Sequence, residues 1–408
     1  MTSDAARCLS MPGDASGPGL LAPLIAARPQ WAAVSPAAQA LGLRRHELLH
    51  AGPPFRDARR PPPVLMSSIV MTCLHEGWAG SEAEAERLVH DGALQLSPAQ
   101  DRFCVTPLAA VVSPATPLLV VRNAAEGTFS AHSLYAPLAT VGGPDTRMGA
   151  RDAGLLSRLS HRDEVLVPFL QARLESLGAV ELLPLMSAGL AAGDDLHSRT
   201  TAANEALVQL LRSASSEATP ELDGIAANPL FFLTLWMAAC ALMLRAAEGA
   251  GLPSLVTRAG GNGEAFAIAL AGRPARWIIC DAAGLDGPRL PGKPAGAAVA
   301  GAIGDSAVID LLGLGGQRLQ HAPEPLSVFR PYLPEGIERQ AQSLLVVPHP
   351  GLAGGWPVGL DAARVAATRQ APLVVLAMLA DDGVGGMLGR GVYRPPVSLF
   401  EDALRVPD

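Results

Sequence analysis

The sequence has 408 residues, 49% of them hydrophobic and 17% charged, with a formal net charge of -7. That length and apolar content suit two or three globular domains and exclude a disordered chain. With no basic footprint, nucleic acid is not an expected partner, and an anionic ligand must be held by locally placed groups.

Residues 1–60 read as a helical N-terminal segment, in which apolar stretches such as LLAPLIAARPQWAAVSPAAQALGL are broken by proline. HAGPPFRDARRPPP ends it as a turn-rich hinge. The opening MTSDAARCLSMPGD carries an early acid and lacks the apolar core of a secretory signal, so a cytoplasmic location is expected. Residues 61–150 read as a first α+β domain. VLMSSIVMTCLHEGW and SEAEAERLVHDG have helical patterns, and VTPLAAVVSPATPLLVVRN reads as strand, turn, strand.

Residues 151–228 turn helical, through RDEVLVPFLQARLESLG and VELLPLMSAGLAAG, and form a helical subdomain. Residues 229–408 read as a second α+β domain. It opens on PLFFLTLWMAACALML, Pro229 to Leu244, which falls short of the ~20 apolar residues that cross a bilayer and is expected to be a buried core helix. No membrane association is expected. Short strands follow at SLVTRAG, EAFAIALAG, RWIICDAAG, SLLVVPHP and APLVVLAML, with one helix at DSAVIDLLGLGG. The expected fold class is therefore α+β, two α/β-type domains with a helical insert subdomain.

The five cysteines, Cys8, Cys73, Cys104, Cys240 and Cys280, are scattered without a C-x-x-C pair. Neither a disulfide framework nor a zinc site is indicated, and a reducing compartment fits. No phosphate-binding G-x-x-x-x-G-K-[ST] loop occurs, and no metal or cofactor is expected. Lys293, the only lysine, sits in PGKPAG, where solvent exposure rather than a catalytic amine is expected.

The densest titratable chemistry lies in GDDLHSRTTAANE, residues 193–205. On a helix, Asp194, His197, Ser198, Thr201 and Glu205 share one face, and Asp195 and Arg199 form an i,i+4 ion pair. Asp194, Asp195, His197 and Arg199 are the catalytic candidates, because an acid beside an imidazole fixes its tautomer for proton transfer. The same stretch also reads as a helix capped by Asp194 or Asp195 with its polar groups solvated.

Three further stretches are candidates for substrate binding. Gly304, Asp305 and Ser306 in GAIGDSAVID stand at a strand-to-helix turn suited to an anion, although Asp305 also reads as a plain N-cap. Asn262 and Gly263 in RAGGNG combine an orienting amide with close backbone approach, or make an ordinary hairpin turn. Arg390 and Arg394 in the glycine-rich DDGVGGMLGRGVYRPP suit a carboxylate or carbamoyl phosphate.

GDDLHSRTTAAN, NPLFFLTLWMAA, SLVTRAGGNGEAFAIALAG, GAIGDSAVIDLLGLGG and GVYRPPVSLFEDAL, in this order, resemble the YlbE/YahG family, found beside FdrA-type proteins that look like acyl-CoA synthetases. The likeness runs from about residue 50 to the C-terminus. It implies a pair of α+β domains with a helical insert and, from one branch of the family, a subunit of oxamate carbamoyltransferase. The chain departs from the family's usual cysteine and asparagines at Leu196, Ser198 and Thr200, and from its run of histidines at 99–107. By resemblance the expected function is carbamoyl or acyl transfer to or from a small anionic acid or amide, with carbamoyl phosphate a candidate substrate. The expected partner is an FdrA-like subunit or further copies in a homo-oligomer. The other readings are a non-catalytic scaffold or regulator of an FdrA-like partner, and a related ligase of specialised metabolism.

Overall fold

The computed structural model describes residues 18–125, 133–214, 219–249, 251–337, 341–352 and 354–405; Cys8 and the opening MTSDAARCLSMPGD lie outside these residues. The N-terminal part holds α1 (Ala22–Ala26), β1 (Pro29–Pro36), α2 (Ala37–Leu41) and β2 (Glu47–His50). The expectation of a helical segment is corrected here. In PQWAAVSP the side chains of Trp31 and Val34 turn inward while their neighbours are partly exposed, and a bulge between Trp31 and Ala33 keeps both in the core.

Next come α3 (Pro63–His75), α4 (Glu82–His90), β3 (Gln95–Pro98), β4 (Pro117–Asn123) and β5 (Leu134–Pro137). Of the expected strand, turn, strand at 105–123 only β4 forms. The earlier half is an irregular run with Leu108 at φ 49°, joined to β2 by a bridge between Val112 and Leu49. The helical stretch comprises α5 (Leu155–His161), α6 (Val167–Leu177), α7 (Leu182–Ala191), α8 (Thr201–Ser213) and α9 (Pro220–Ala226), with the short β6 (Val180–Glu181) before α7. Antiparallel pairing in the order β5-β4-β1-β6 draws one sheet from the N-terminal, first α+β and helical stretches together.

The apolar segment forms α10 (Leu230–Arg245), in which every residue from Phe231 to Leu244 is buried. A helix apolar on all sides has no solvent face to present. It packs against β1, β4 and β5 and also against β7 (Val256–Asn262) and α11 (Ala307–Leu312). No single helix among the described residues is long and apolar enough to cross a membrane; α9 and α10 reach that composition only as a pair bent by 72°. β7 joins β8 (Ala265–Leu270), β9 (Ile278–Asp281) and β10 (Ile303–Gly304) in a second antiparallel sheet, in the order β10-β7-β8-β9. Among the described residues three two-stranded pairs complete the α+β fold: β2 with β3, β11 (Leu345–Pro348) with β12 (Pro357–Leu360), and β13 (Val374–Leu379) with β14 (Met387–Tyr393).

A buried carboxylate beside β10 gathers donors from several points of residues 50–106 and helps fasten that stretch to the second sheet. Asp305, fully buried, accepts from Gly52 N at 2.9 Å, Thr106 N at 2.9 Å, Thr106 Oγ1 at 3.1 Å and Gln100 Nε2 at 2.7 Å. The contact is possible because position 260 is glycine, since a Cβ there would run into the Asp305 carboxylate. Burial pushes this carboxyl up to about 6 against the pull of its four donors.

Beside the clamp His50 is also buried, with Nδ1 on the Ala51 carbonyl at 2.8 Å and its ring stacked on Phe55. Burial drives this imidazole down to about 4. The unfolded chain takes up a proton near 6.5 that the folded His50 refuses until about 4, so its contribution to stability is complete above 6.5 and lost as pH falls between those values. Asp305 works oppositely and adds stability as pH falls from about 6 towards 3.8. The two offset one another in the native protein. His50→Leu is therefore expected to gain about 3 kcal/mol relative to the native protein on going from pH 7 to pH 4. Urea unfolding at both pH values checks it, and a constant difference would show that His50 titrates normally.

Candidate active site

The helix expected from Asp194 does not form; residues 192–200 are a loop between α7 and α8, and Leu196 has a φ of 66°. The reason lies in Asp195. Its carboxylate accepts from the backbone N–H groups of His197 at 3.3 Å, Ser198 at 3.1 Å and Arg199 at 2.7 Å, and from Ser198 Oγ at 2.8 Å. An aspartate that collects three successive amides winds the chain into a turn that competes with the helix. The expected Asp195–Arg199 pair is likewise replaced, because Arg199 reaches Asp194 at 2.6 Å. The second Asp194 oxygen accepts from Ala203 N at 3.0 Å and so tethers the first turn of α8. Burial raises the Asp194 carboxyl above the ordinary range, opposed by the Ala203 N–H and by Arg199. Both aspartates are wholly buried, and their hydrogen bonds shape the loop.

What the loop presents is His197. Its Nδ1 lies 2.7 Å from Asp310 Oδ2, and Asp310 also accepts from Gly316 N at 2.7 Å and Val375 N at 3.2 Å. Burial raises the Asp310 carboxyl, and the neighbouring His197 pulls it back. A carboxylate at Nδ1 assigns the proton to that nitrogen and leaves the Nε2 lone pair as the proton acceptor. His197 stands on the wall of a cavity of about 430 Å³.

Three guanidinium groups share that wall: Arg147, Arg199 and Arg390. Arg390, on β14, spans Ser198 O at 3.4 Å and Glu324 at 3.0 Å and so ties the His197 loop to the cavity rim. Arg147, in the turn Thr146–Met148, is buried; its Nε faces Asp145 at 3.3 Å but makes no hydrogen bond. Leu230, Leu233 and Met387 supply apolar surface, which strengthens charge–charge attraction inside the cavity. The arrangement sets arginine side chains and an imidazole on one cavity wall, groups whose chemistry suits a small anion and a proton. Arg390→Ala is expected to raise KM for an anionic substrate about tenfold with little loss of stability, since its pair with Glu324 is a partly exposed one. Steady-state kinetics beside thermal melting separates the two effects.

Of the residues expected at the site, His197, Arg199, Ser306 and Arg390 come together on this cavity, with Asp194 and Asp195 behind the loop. Gly304, Asp305 and Ser306 are not an open anion turn. The Asp305 N–H donates to Thr106 O, its carboxylate is the clamp, Gly304 packs on the Leu108 backbone, and Ser306 stands at the N-cap of the short α11. Asn262 closes the β7–β8 hairpin, accepting from Glu264 N at 3.1 Å and Ala265 N at 2.9 Å and donating to Pro53 O at 2.9 Å, with Gly263 in the turn. That is the ordinary-turn alternative. Arg394 is exposed just beyond β14. Asp310 and Arg147 were missed, although an acid inside the apolar run AVIDLL signals a buried partner. Among the described residues no group of three or more His, Cys, Asp or Glu is arranged to hold a metal ion.

Fold and site define an α+β protein with an acid–histidine pair on the wall of an arginine-lined cavity. The chain belongs to the family described as oxamate carbamoyltransferase subunit AllG, whose profile matches residues 94–306. It is 29% identical over 400 residues to the oxamate carbamoyltransferase subunit AllG of Escherichia coli, covering 93% of each chain. It is 27% identical over 379 residues to the uncharacterized protein YahG of the same organism, covering 89% of this chain and 79% of YahG. A crystal structure of a conserved protein of unknown function from Enterococcus faecalis shares the fold, with a TM-score of 0.85, 24% identity and 96% of each chain covered. Of the likeness read from the sequence, these matches bear out the part that concerns YahG and an oxamate carbamoyltransferase subunit.

Proposed function

We propose that this chain is a subunit of a carbamoyl-transferring enzyme acting on a small anionic acid or amide of the oxamate kind, with phosphate as the other partner. The observation that carries the reading is the His197–Asp310 pair opening onto a cavity with three guanidinium groups. The family and the relative named as an oxamate carbamoyltransferase subunit support it.

In this reading the arginines hold the carboxylate of the acceptor and offset the negative charge that gathers as transfer proceeds. The acceptor nitrogen attacks the carbamoyl carbon, its proton passes to His197 Nε2, and the bond from that carbon to the phosphate oxygen breaks. Phosphate leaves with the bonding electron pair. Asp310 stabilises the imidazolium formed, and in the reverse direction the same histidine returns the proton.

The chain works in this reading within a complex, with an FdrA-like subunit or with copies of itself. A light-scattering mass on the chain alone and after mixing with the products of neighbouring genes tests it, followed by a phosphate-dependent carbamoyl assay on each fraction. Transfer confined to the complete complex is the expected result. A complex that forms but transfers nothing moves the chain to a scaffold role.

A further inference from the structure

A second cavity, of about 630 Å³, adjoins the first, and the two share Arg147, Leu230 and Met387 in their walls. Two glycine pairs, Gly142–Gly143 and Gly385–Gly386, are in its lining, and at those positions the backbone has no side chain to hold a ligand off. The charged groups on its wall are Arg147, Arg151, Lys293, Asp145 and Asp152. Most are already neutralised. Arg151 pairs with Glu82 at 2.7 Å and with Glu86, Asp152 with Arg158 at 2.8 Å, and Asp145 with the Nε edge of Arg147.

Lys293 is the exception. Its Nζ donates to the Gly385 carbonyl at 2.9 Å and has no carboxylate within ion-pair distance among the described residues. A carbonyl satisfies one N–H but does not neutralise the charge, and the half-buried ammonium is kept at the wall of the chamber. The expectation of a solvated loop lysine is corrected by this placement. Arg147, the cation common to both cavities, makes no side-chain hydrogen bond with its terminal nitrogens among the described residues.

We propose that this second chamber binds the phosphate group of the donor, with Lys293 as its counter-ion and Arg147 at the passage to the His197 cavity. An unpaired ammonium among glycine turns is a point charge that a compact phosphate can approach closely. The place of the chamber in catalysis rests on the carbamoyl-transfer reading, whereas the chemistry of its ligand rests on the residues just named.

Because Lys293 is the only lysine, an amine-specific probe reads this chamber directly. The full chain is treated with pyridoxal 5′-phosphate and borohydride, and the secondary amine formed at Lys293 is quantified by peptide mass spectrometry, which separates it from any label on a chain terminus. Labelling is expected about tenfold faster than with unphosphorylated pyridoxal, and inorganic phosphate, but not chloride at equal ionic strength, is expected to slow it. Phosphonoacetamide, an unreactive stand-in for carbamoyl phosphate, is expected to protect at lower concentration than phosphate. Calorimetry should show phosphate affinity about tenfold weaker in Lys293→Met and nearly retained in Lys293→Arg. Equal labelling by the two aldehydes, or protection by oxamate and not by phosphate, overturns the proposal. Loss of carbamoyl transfer with phosphate protection intact would instead remove the proposed function and leave the chamber standing.

Discussion

Replacing His197 with glutamine in the assembled enzyme is expected to lower kcat by about 10²- to 10⁴-fold, the range for loss of a positioned acid–base group. Glutamine places an amide donor towards Asp310, so the buried carboxylate keeps a partner and the melting temperature should fall only slightly. Asp310→Asn is expected to lower kcat as well, because the amide no longer holds the proton on Nδ1. The double variant should be no slower than the worse single one, since the two residues act as a unit. Melting curves and steady-state kinetics on the three variants decide the matter. Parallel loss of stability and activity in His197→Gln would identify a structural histidine.

Asp305→Asn is expected to cost about 3 kcal/mol or more of unfolding free energy. Four donors converge on this carboxylate, and an amide offers them a single oxygen while turning its own N–H groups on the rest. Each buried donor left without an acceptor costs about 1–3 kcal/mol. The loss should appear in urea unfolding, with substrate affinity in the surviving folded protein little changed, because the clamp stands behind the cavity wall. A change below about 1 kcal/mol would mean that water or a shifted backbone replaces the clamp.

The elements easiest to foresee were those whose pattern admits one packing. α10 is apolar on every side and had to be buried, and β8 is a short, wholly apolar run enclosed on both faces. The site was harder because its partners are distant in sequence. His197 was visible, but Asp310 lies 113 residues away in a helix that otherwise reads as core. The spacing of Asp194, His197, Ser198 and Thr201 pointed to a helical face, yet Asp195 binds the intervening amides and imposes a turn that periodicity does not detect. Arg147 stands in a short turn with no pattern of its own. Asp305 had a plausible anion-turn signature, but four donors from residues 52, 100 and 106 claim it, and only the folded chain brings them together.

The most direct measurement of the central claim follows carbon-13 from labelled carbamoyl phosphate by NMR, in the complete complex with oxamate present. The complex containing the native chain should move the label onto the acceptor nitrogen, with release of phosphate. The complex containing the His197→Gln chain should leave the label where it began over the same interval. Equal appearance of the labelled product in both would contradict a catalytic role for the His197–Asp310 pair.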